Sequence, residues 1–285
     1  MKVRLLDIDG KMPNIALMKI AAYHKQKGDH VDWLNPLMDI EANIEKVYAS
    51  KLFNFSNDYD YYPPEAEIIR GGTGFDISSK LSQQIESITK LDYSIYPQHH
   101  YSMQFFSRGC IRICPFCVVR EKEGYIHPVD PLELNPNGKH IEVLDNNFFA
   151  NPEWKFAIEK LLEWKHPVNL HGVDVRIMNE EQAYYLNQLK HHKQVHIAWD
   201  NPKQNILEQL KTMTKYIKPY KIMCYVLIGY WSTPEEDLYR IEKLRELKVD
   251  PFVMPFNKMD EYQKKFARWV NHKAIFKTVA WKDYR

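Results

Sequence analysis

The sequence predicts an α/β protein in two parts: a small Rossmann-like α/β region over residues 1–98 and a larger region over residues 99–285 built on a parallel sheet. Three observations predict it. Short apolar runs of strand length alternate with segments whose apolar residues recur at helical spacing. From Tyr101 onward this alternation becomes regular, and successive strand–helix units imply parallel strands in a sheet that is either doubly wound or curled into an open barrel. Several helix candidates open with Pro or Asn/Thr just inside the start, as at Asn151-Pro152 and Thr233-Pro234-Glu235.

In the first part, Val3–Ile8 reads as a strand and is broken at Met12-Pro13-Asn14. Ile15–Lys27 then carries apolar residues at helical spacing and stops at Gly28. His30–Leu34, Lys46–Leu52 and Glu67–Ile69 read as further strands, and Asn54–Pro64, rich in Asn, Asp, Tyr and Pro, as a loop. In the second part the strand candidates are Ser102–Phe106, His140–Leu144, Val168–Leu170, Val195–Ala198, Ile222–Ile228 and Phe252–Met254. The helical patterns between or after them are Pro152–Trp164, Glu180–Lys190, Pro202–Tyr216, Pro234–Leu247 and Asp260–His272.

The chain has 285 residues, of which 45% are apolar, and a formal net charge of +2. It is large enough for a substantial core, and its charge neither demands nor excludes a nucleic-acid partner. The opening MKVRLLDIDGK has charges within its first apolar run and no signal-peptide core, and the longest apolar stretch, Ile222–Trp231, is too short to span a bilayer. These features predict a soluble, cytoplasmic protein with no membrane partner. In that compartment thiols stay reduced, so clustered cysteines are metal or redox ligands before they are disulfides.

Cys110, Cys114 and Cys117 fall within eight positions in the spacing C-x3-C-x2-C; the fourth cysteine, Cys224, is distant and sits in an apolar run as a small hydrophobe. The triplet follows the Ser102–Phe106 strand, so it lies in a loop at the carboxyl end of a parallel strand, where α/β folds place active sites. A structural zinc site wants four ligands, the fourth coming here from His99, His100 or His127. An iron–sulfur cubane is normally held by four thiolates, and three thiolates leave one iron open.

The triplet, with Phe116 just before its last cysteine and six strand–helix units around it, resembles the radical S-adenosylmethionine superfamily over roughly residues 99–285. The resemblance implies a partial (β/α)6 TIM-like barrel and a [4Fe-4S] cluster on Cys110, Cys114 and Cys117. It also implies S-adenosylmethionine on the open iron through its amino and carboxylate groups, and reductive cleavage of that cofactor to a 5′-deoxyadenosyl radical that abstracts hydrogen from an unidentified substrate. A one-electron donor such as a flavodoxin or ferredoxin is implied as partner. By the same resemblance Asp145-Asn146-Asn147, in place of the common Gly-Gly-Glu, would bind the methionine amino group. Asp174 would lie near the ribose hydroxyls and Arg176 would hold the carboxylate, a task suited to a planar guanidinium. Asp200 would be a further polar tip, and Gly229 would let backbone approach the adenine. Arg120–Gly124, downstream of the motif, reads equally as pocket wall or solvated loop.

Residues 1–98 resemble a shortened form of the cobalamin-binding-like domain that precedes the barrel in many members. The loop Asp7-Ile8-Asp9-Gly10-Lys11-Met12 lacks the histidine that ligates cobalt in base-off proteins, so no cobalamin is expected. Arg70–Gly74 reads as a turn before it reads as a phosphate cradle. Two rival functions remain: a tRNA- or nucleoside-modifying member of the same superfamily, and a zinc-stabilised, non-catalytic binding protein. A nucleic-acid partner is not favoured, because the basic segment with Lys264, Lys265, Arg268, Trp269, His272 and Lys273 reads as a solvated face and no appended RNA-binding module is visible.

Overall fold

Strand β1 (Lys2–Asp7) alternates little because both of its faces are covered, and Val3 and Leu5 have no exposure. In the computed structural model, which describes residues 1–39 and 43–285, β1 runs into helix α1 (Ile15–Gln26). The Asn14 side chain starts α1 by accepting hydrogen bonds from the N–H groups of Ala16 and Leu17, 3.0 and 3.3 Å. Strands β2 (His30–Trp33), β3 (Lys46–Ser50) and β4 (Glu67–Gly71) follow, and the four form a fully parallel sheet in the order β2-β1-β3-β4. Short helix α2 (Gln83–Glu86), strand β5 (Ser102–Gln104) and helix α3 (Val119–Glu123) complete this unit, which comprises residues 1–105, 112–125 and 129–139.

The second unit comprises residues 106–111, 126–128 and 140–285. A two-residue antiparallel pair, β6 (Ser107–Arg108) with β7 (His127–Pro128), stands at its start. Then β8 (Ile141–Val143), α4 (Trp154–Trp164), β9 (Val168–Leu170), α5 (Glu180–Gln188), β10 (Val195–Ala198), α6 (Leu207–Tyr216), β11 (Ile222–Ile228), α7 (Pro234–Glu246) and β12 (Asp250–Pro255) alternate without exception. The terminal helices are α8 (Glu261–Asn271) and α9 (Lys273–Thr278). β8 pairs with β9 and β10 with β11 and β12, all parallel, and an isolated parallel bridge joins Val173 to Ile197. The chain is thus an α/β protein with parallel sheets.

β8 and β9 are buried at every position, whereas β11 alternates. On β11, Ile222, Cys224, Val226 and Ile228 are fully buried while Met223, Tyr225 and Leu227 are half-exposed. α7 opens with a capping box in which Thr233 and Glu236 satisfy each other's backbone N–H groups, at 3.4 and 2.9 Å. α6 begins at Leu207 rather than at Pro202. The indole of Trp199 donates to the Gln204 carbonyl, 2.8 Å, and the Asn201 side chain accepts from Lys203 N–H, so residues 201–206 are a turn closed by side chains. Trp269 is fully buried against Phe266, Phe276 and Trp281, whereas Lys264, Lys265 and Arg268 are exposed. The aromatic of that basic segment therefore belongs to the core. Among the described residues, no helix is long and apolar enough to cross a membrane.

Candidate functional site

All four cysteines lie among the described residues, and none of them is in a disulfide. Cys110 lies in the second unit, half-buried, just after Gly109, whose φ is +79°. Cys114, Phe116 and Cys117 lie in the first unit, where Cys117 N–H donates to the Cys114 carbonyl at 2.9 Å in a tight turn; Cys114 is half-buried and Cys117 exposed. Among the described residues, no three or more His, Cys, Asp or Glu side chains are gathered as a metal site. His99 and His100 line a cleft of about 600 Å³ in the first unit with Tyr93, Tyr96, Glu133 and Asn135. His127 stands on β7 of the second unit.

The strand tips of the second unit carry a connected polar chain. The Asp145 carboxylate, almost wholly buried, accepts from Phe106 N–H at 2.9 Å and from the Ser107 hydroxyl at 2.5 Å. Burial raises its pKa to about 6, and these hydrogen bonds pull against that rise. Asn151 donates to the Phe106 carbonyl, 3.0 Å, so the loop after β8 grips the segment leading into Cys110 from two sides. Asp145 is therefore a positioning residue for that segment.

Asn147, also buried, donates from Nδ2 to Asp174 Oδ2 at 3.1 Å and lies 3.9 Å from Cys110 Sγ; its Oδ1 is buried with no hydrogen-bond partner among the described residues. Asp174 in turn takes a bidentate pair from Arg176, Nε to Oδ1 at 2.6 Å and Nη2 to Oδ2 at 2.9 Å, and accepts the Arg176 N–H at 3.1 Å. Arg176 Nη1 donates to Gln204 Oε1, 3.1 Å. Asn146 is half-buried, and its backbone is pressed against Gly172. A Cβ on Gly172 would fall 1.9 Å from the Asp145 carbonyl oxygen and 2.7 Å from the Asn146 carbonyl carbon. Only glycine lets the β8 and β9 tips meet this closely.

Asp200, at the end of β10, is half-buried; burial raises its pKa and the Arg176 charge opposes the rise. Gly229 adopts φ +77° after β11, and a Cβ there would fall 2.2 Å from Nε2 of Gln263, so its bare face is filled by that side chain of α8. Thus Cys110, Asn147, Asp174 and Arg176 come together, Asp145 supports them from behind, and Asp200 stands within reach of the Arg176 charge.

Sequence reasoning missed Arg240. It has no exposure and donates to the carbonyls of Trp199 (2.7 Å), Asp200 (3.0 Å) and Leu227 (2.9 Å) and to Asp237 Oδ1 (2.6 Å). Asp237 also accepts the Tyr262 hydroxyl, 3.0 Å. One buried cation therefore ties the tips of β10 and β11 to α7. The i,i+3 pair Asp237/Arg240 was visible in the sequence, but in a charged helix it looks like every other solvated pair. Sequence reasoning also missed Glu142, which hydrogen-bonds His140 Nε2 (2.9 Å), Asn169 Nδ2 (2.8 Å) and His171 Nε2 (2.5 Å). Those partners pull its pKa down to about 2 against the effect of burial.

In the first unit, Asp9 accepts the N–H groups of Leu52 and Phe53 at 2.7 and 2.9 Å, and Asp7 accepts the Gly10 N–H at 3.1 Å and the Tyr96 hydroxyl at 3.0 Å. The Arg70–Gly74 turn is closed by Lys51 N–H to the Gly71 carbonyl and Gly74 N–H to the Lys51 carbonyl, 3.1 and 2.9 Å. Lys122 of α3 donates to the Ser79 carbonyl, 2.8 Å, and Arg120 lies over the Tyr125 ring, 4.8 Å. Cys224 is fully buried, and burial pushes its thiol pKa up, which keeps it protonated and unreactive. No protein-family model matches the chain, and no curated protein matches it.

Proposed function

We propose that this chain is a radical S-adenosylmethionine enzyme whose [4Fe-4S] cluster is held by Cys110, Cys114 and Cys117. The observation that carries the reading is the C-x3-C-x2-C spacing with Phe116 before the last thiol. Soft thiolate donors suit iron–sulfur ligation, and three of them leave an iron for the cofactor. Asn147 fits the same group: its buried Oδ1 has no hydrogen-bond partner among the described residues and is suited to accept from the cofactor's ammonium, while its Nδ2 faces Cys110.

In this reading the finer fold is a partial (β/α)6 barrel. The sequential parallel pairs β8–β9 and β10–β11–β12, with the Val173–Ile197 bridge between them, support it. Residues 1–98 act as a cobalamin-binding-like domain that takes no cobalamin, because its first loop has no histidine for cobalt.

When bound and reduced by a flavodoxin- or ferredoxin-type donor, the cluster supplies the electron that cleaves S-adenosylmethionine to methionine and a 5′-deoxyadenosyl radical. The chain's own residues bind and orient. Asp145 and Asn151 fix the segment that carries Cys110. Asp174 holds the Arg176 guanidinium in one orientation, so its charge is set before a carboxylate arrives and little ordering is left for binding. Arg240 fixes the carbonyls around Asp200. Anaerobic reconstitution with iron and sulfide tests the reading. A brown protein with roughly four irons per chain and broad visible absorption supports it. Stoichiometric zinc with no iron overturns it in favour of the zinc-stabilised protein.

A further inference from the structure

Across the two sets of parallel strands of the second unit, β8–β9 and β10–β11–β12, polar and aromatic side chains form a row that runs from buried to exposed. Strand register sets the row. Glu142 of β8 pairs with Asn169 of β9, and Ala198 of β10 with Tyr225 of β11, which pairs with Phe252 of β12. His196 lies two residues before Ala198 and so points to the same side. The rings run across the strands at contact distance: His171 to His196 at 5.9 Å, His196 to Tyr225 at 5.4 Å, and Tyr225 to Phe252 at 5.6 Å. His171 and Phe252 are exposed.

Two features separate this row from an ordinary packed face. A strand face built only for stability would be apolar where covered and fully hydrated where open. Here Asn169 and His196 are each at least nine-tenths buried, yet Asn169 Oδ1 and His196 Nδ1 have no hydrogen-bond partner among the described residues. Leaving such groups unpaired is costly, so a native site of this kind calls for an outside partner. At the other end of the row the exposed Phe252 and half-exposed Tyr225 offer aromatic ring surface. Hydrogen-bonding groups at one end and aromatic rings at the other match a flat ligand with a hydrogen-bonding edge.

We infer that this row is a binding site for a planar heterocycle of the nucleobase class, its polar edge meeting His171, Asn169 and His196 and its ring lying along Tyr225 and Phe252. Glu142 orients His171 from behind through its hydrogen bond and is a positioning residue. The inference deepens the proposed function by naming the substrate class. It rests on that reading for the reaction, but not for the binding.

The test is calorimetric titration of the purified full chain, without iron, sulfide or S-adenosylmethionine, with guanosine, cytidine and uridine. Adenosine is left out because the proposed cofactor carries it. At least one nucleoside is expected to bind saturably with a Kd at or below about 1 mM. Tyr225→Leu, Phe252→Leu and His171→Ala are each expected to weaken it at least about fivefold, the lower end of what one base–aromatic stack contributes. Lys211→Ala, on the exposed side of α6, should bind as wild type. Phe252 is exposed enough that its variant keeps the test decisive if another variant fails to fold, as judged by near-ultraviolet circular dichroism. A short single-stranded RNA of the best base distinguishes the source: tighter binding assigns a base within RNA, and equal or weaker binding a free nucleoside. Absence of saturable binding by all three nucleosides, or variants that bind like wild type, overturns the inference. Such a result leaves the cluster chemistry standing, and a protein that makes no 5′-deoxyadenosine leaves this binding standing.

Discussion

Asn147 stands between the two kinds of residue that the candidate site needs: its amide nitrogen lies 3.9 Å from the Cys110 thiol and 3.1 Å from the Asp174 carboxylate. The thiol and the Asp174–Arg176 pair are thereby held by one buried side chain. Asn147→Ala should leave iron loading unchanged while weakening S-adenosylmethionine binding. The loss of one hydrogen bond of this kind is about 0.5–1.5 kcal/mol, roughly two- to tenfold in Kd. Iron content and cofactor titration of the same sample check both halves.

Arg176→Ala should weaken the cofactor further, because it removes a charge-assisted donor and takes the bidentate guanidinium pair away from Asp174. An effect of about 1.5–3 kcal/mol, ten- to a hundredfold in affinity, is expected. Binding equal to wild type would remove Arg176 from the cofactor site without touching the cluster.

Asp145 makes a pH prediction. Its folded pKa, about 6, lies above the ordinary 3.8, so the folded state holds a proton more tightly than the unfolded chain. Its contribution to stability is therefore complete below pH ~4 and is lost as pH rises toward 6. The lost amount is about 3 kcal/mol for a shift of this size. Urea denaturation of wild type against Asp145→Asn across pH 4–7 should show this slope in the wild type alone. Parallel slopes in the two proteins would contradict it.

Arg240→Ala should be among the most damaging single changes. It strands the buried Asp237 charge and leaves three carbonyls without their donor, a loss of about 3–5 kcal/mol. Thermal melting measures it. Arg240→Met with Asp237→Leu should recover part of the loss, since no uncompensated charge then remains.

Much of the fold was legible because its signals are local. The breaks at Pro13 and Gly28, the Thr233–Glu236 box and the apolar runs at Val168–Leu170, Val195–Ala198 and Ile222–Ile228 fall where strands and helices form. What was not legible depends on tertiary burial. Asp237 and Arg240 look like a surface pair until α7 buries both. Glu142 and the histidines around it lie far apart in sequence and meet only through strand register. The β6–β7 pair is two residues long, below any periodic signal. In the site, the cysteine spacing was readable directly, while the engagement of Asp145 with Phe106 and Ser107, and of Gly229 with Gln263, follows from how strand tips pack. No periodicity encodes that.

The most direct test of the central claim is dithionite reduction of anaerobically reconstituted protein with S-adenosylmethionine, with 5′-deoxyadenosine measured by chromatography. Wild type should produce 5′-deoxyadenosine and methionine slowly and in equal amounts even without substrate, and Cys114→Ala should produce none. Wild type that carries iron and sulfide yet forms no 5′-deoxyadenosine under reduction would contradict the account.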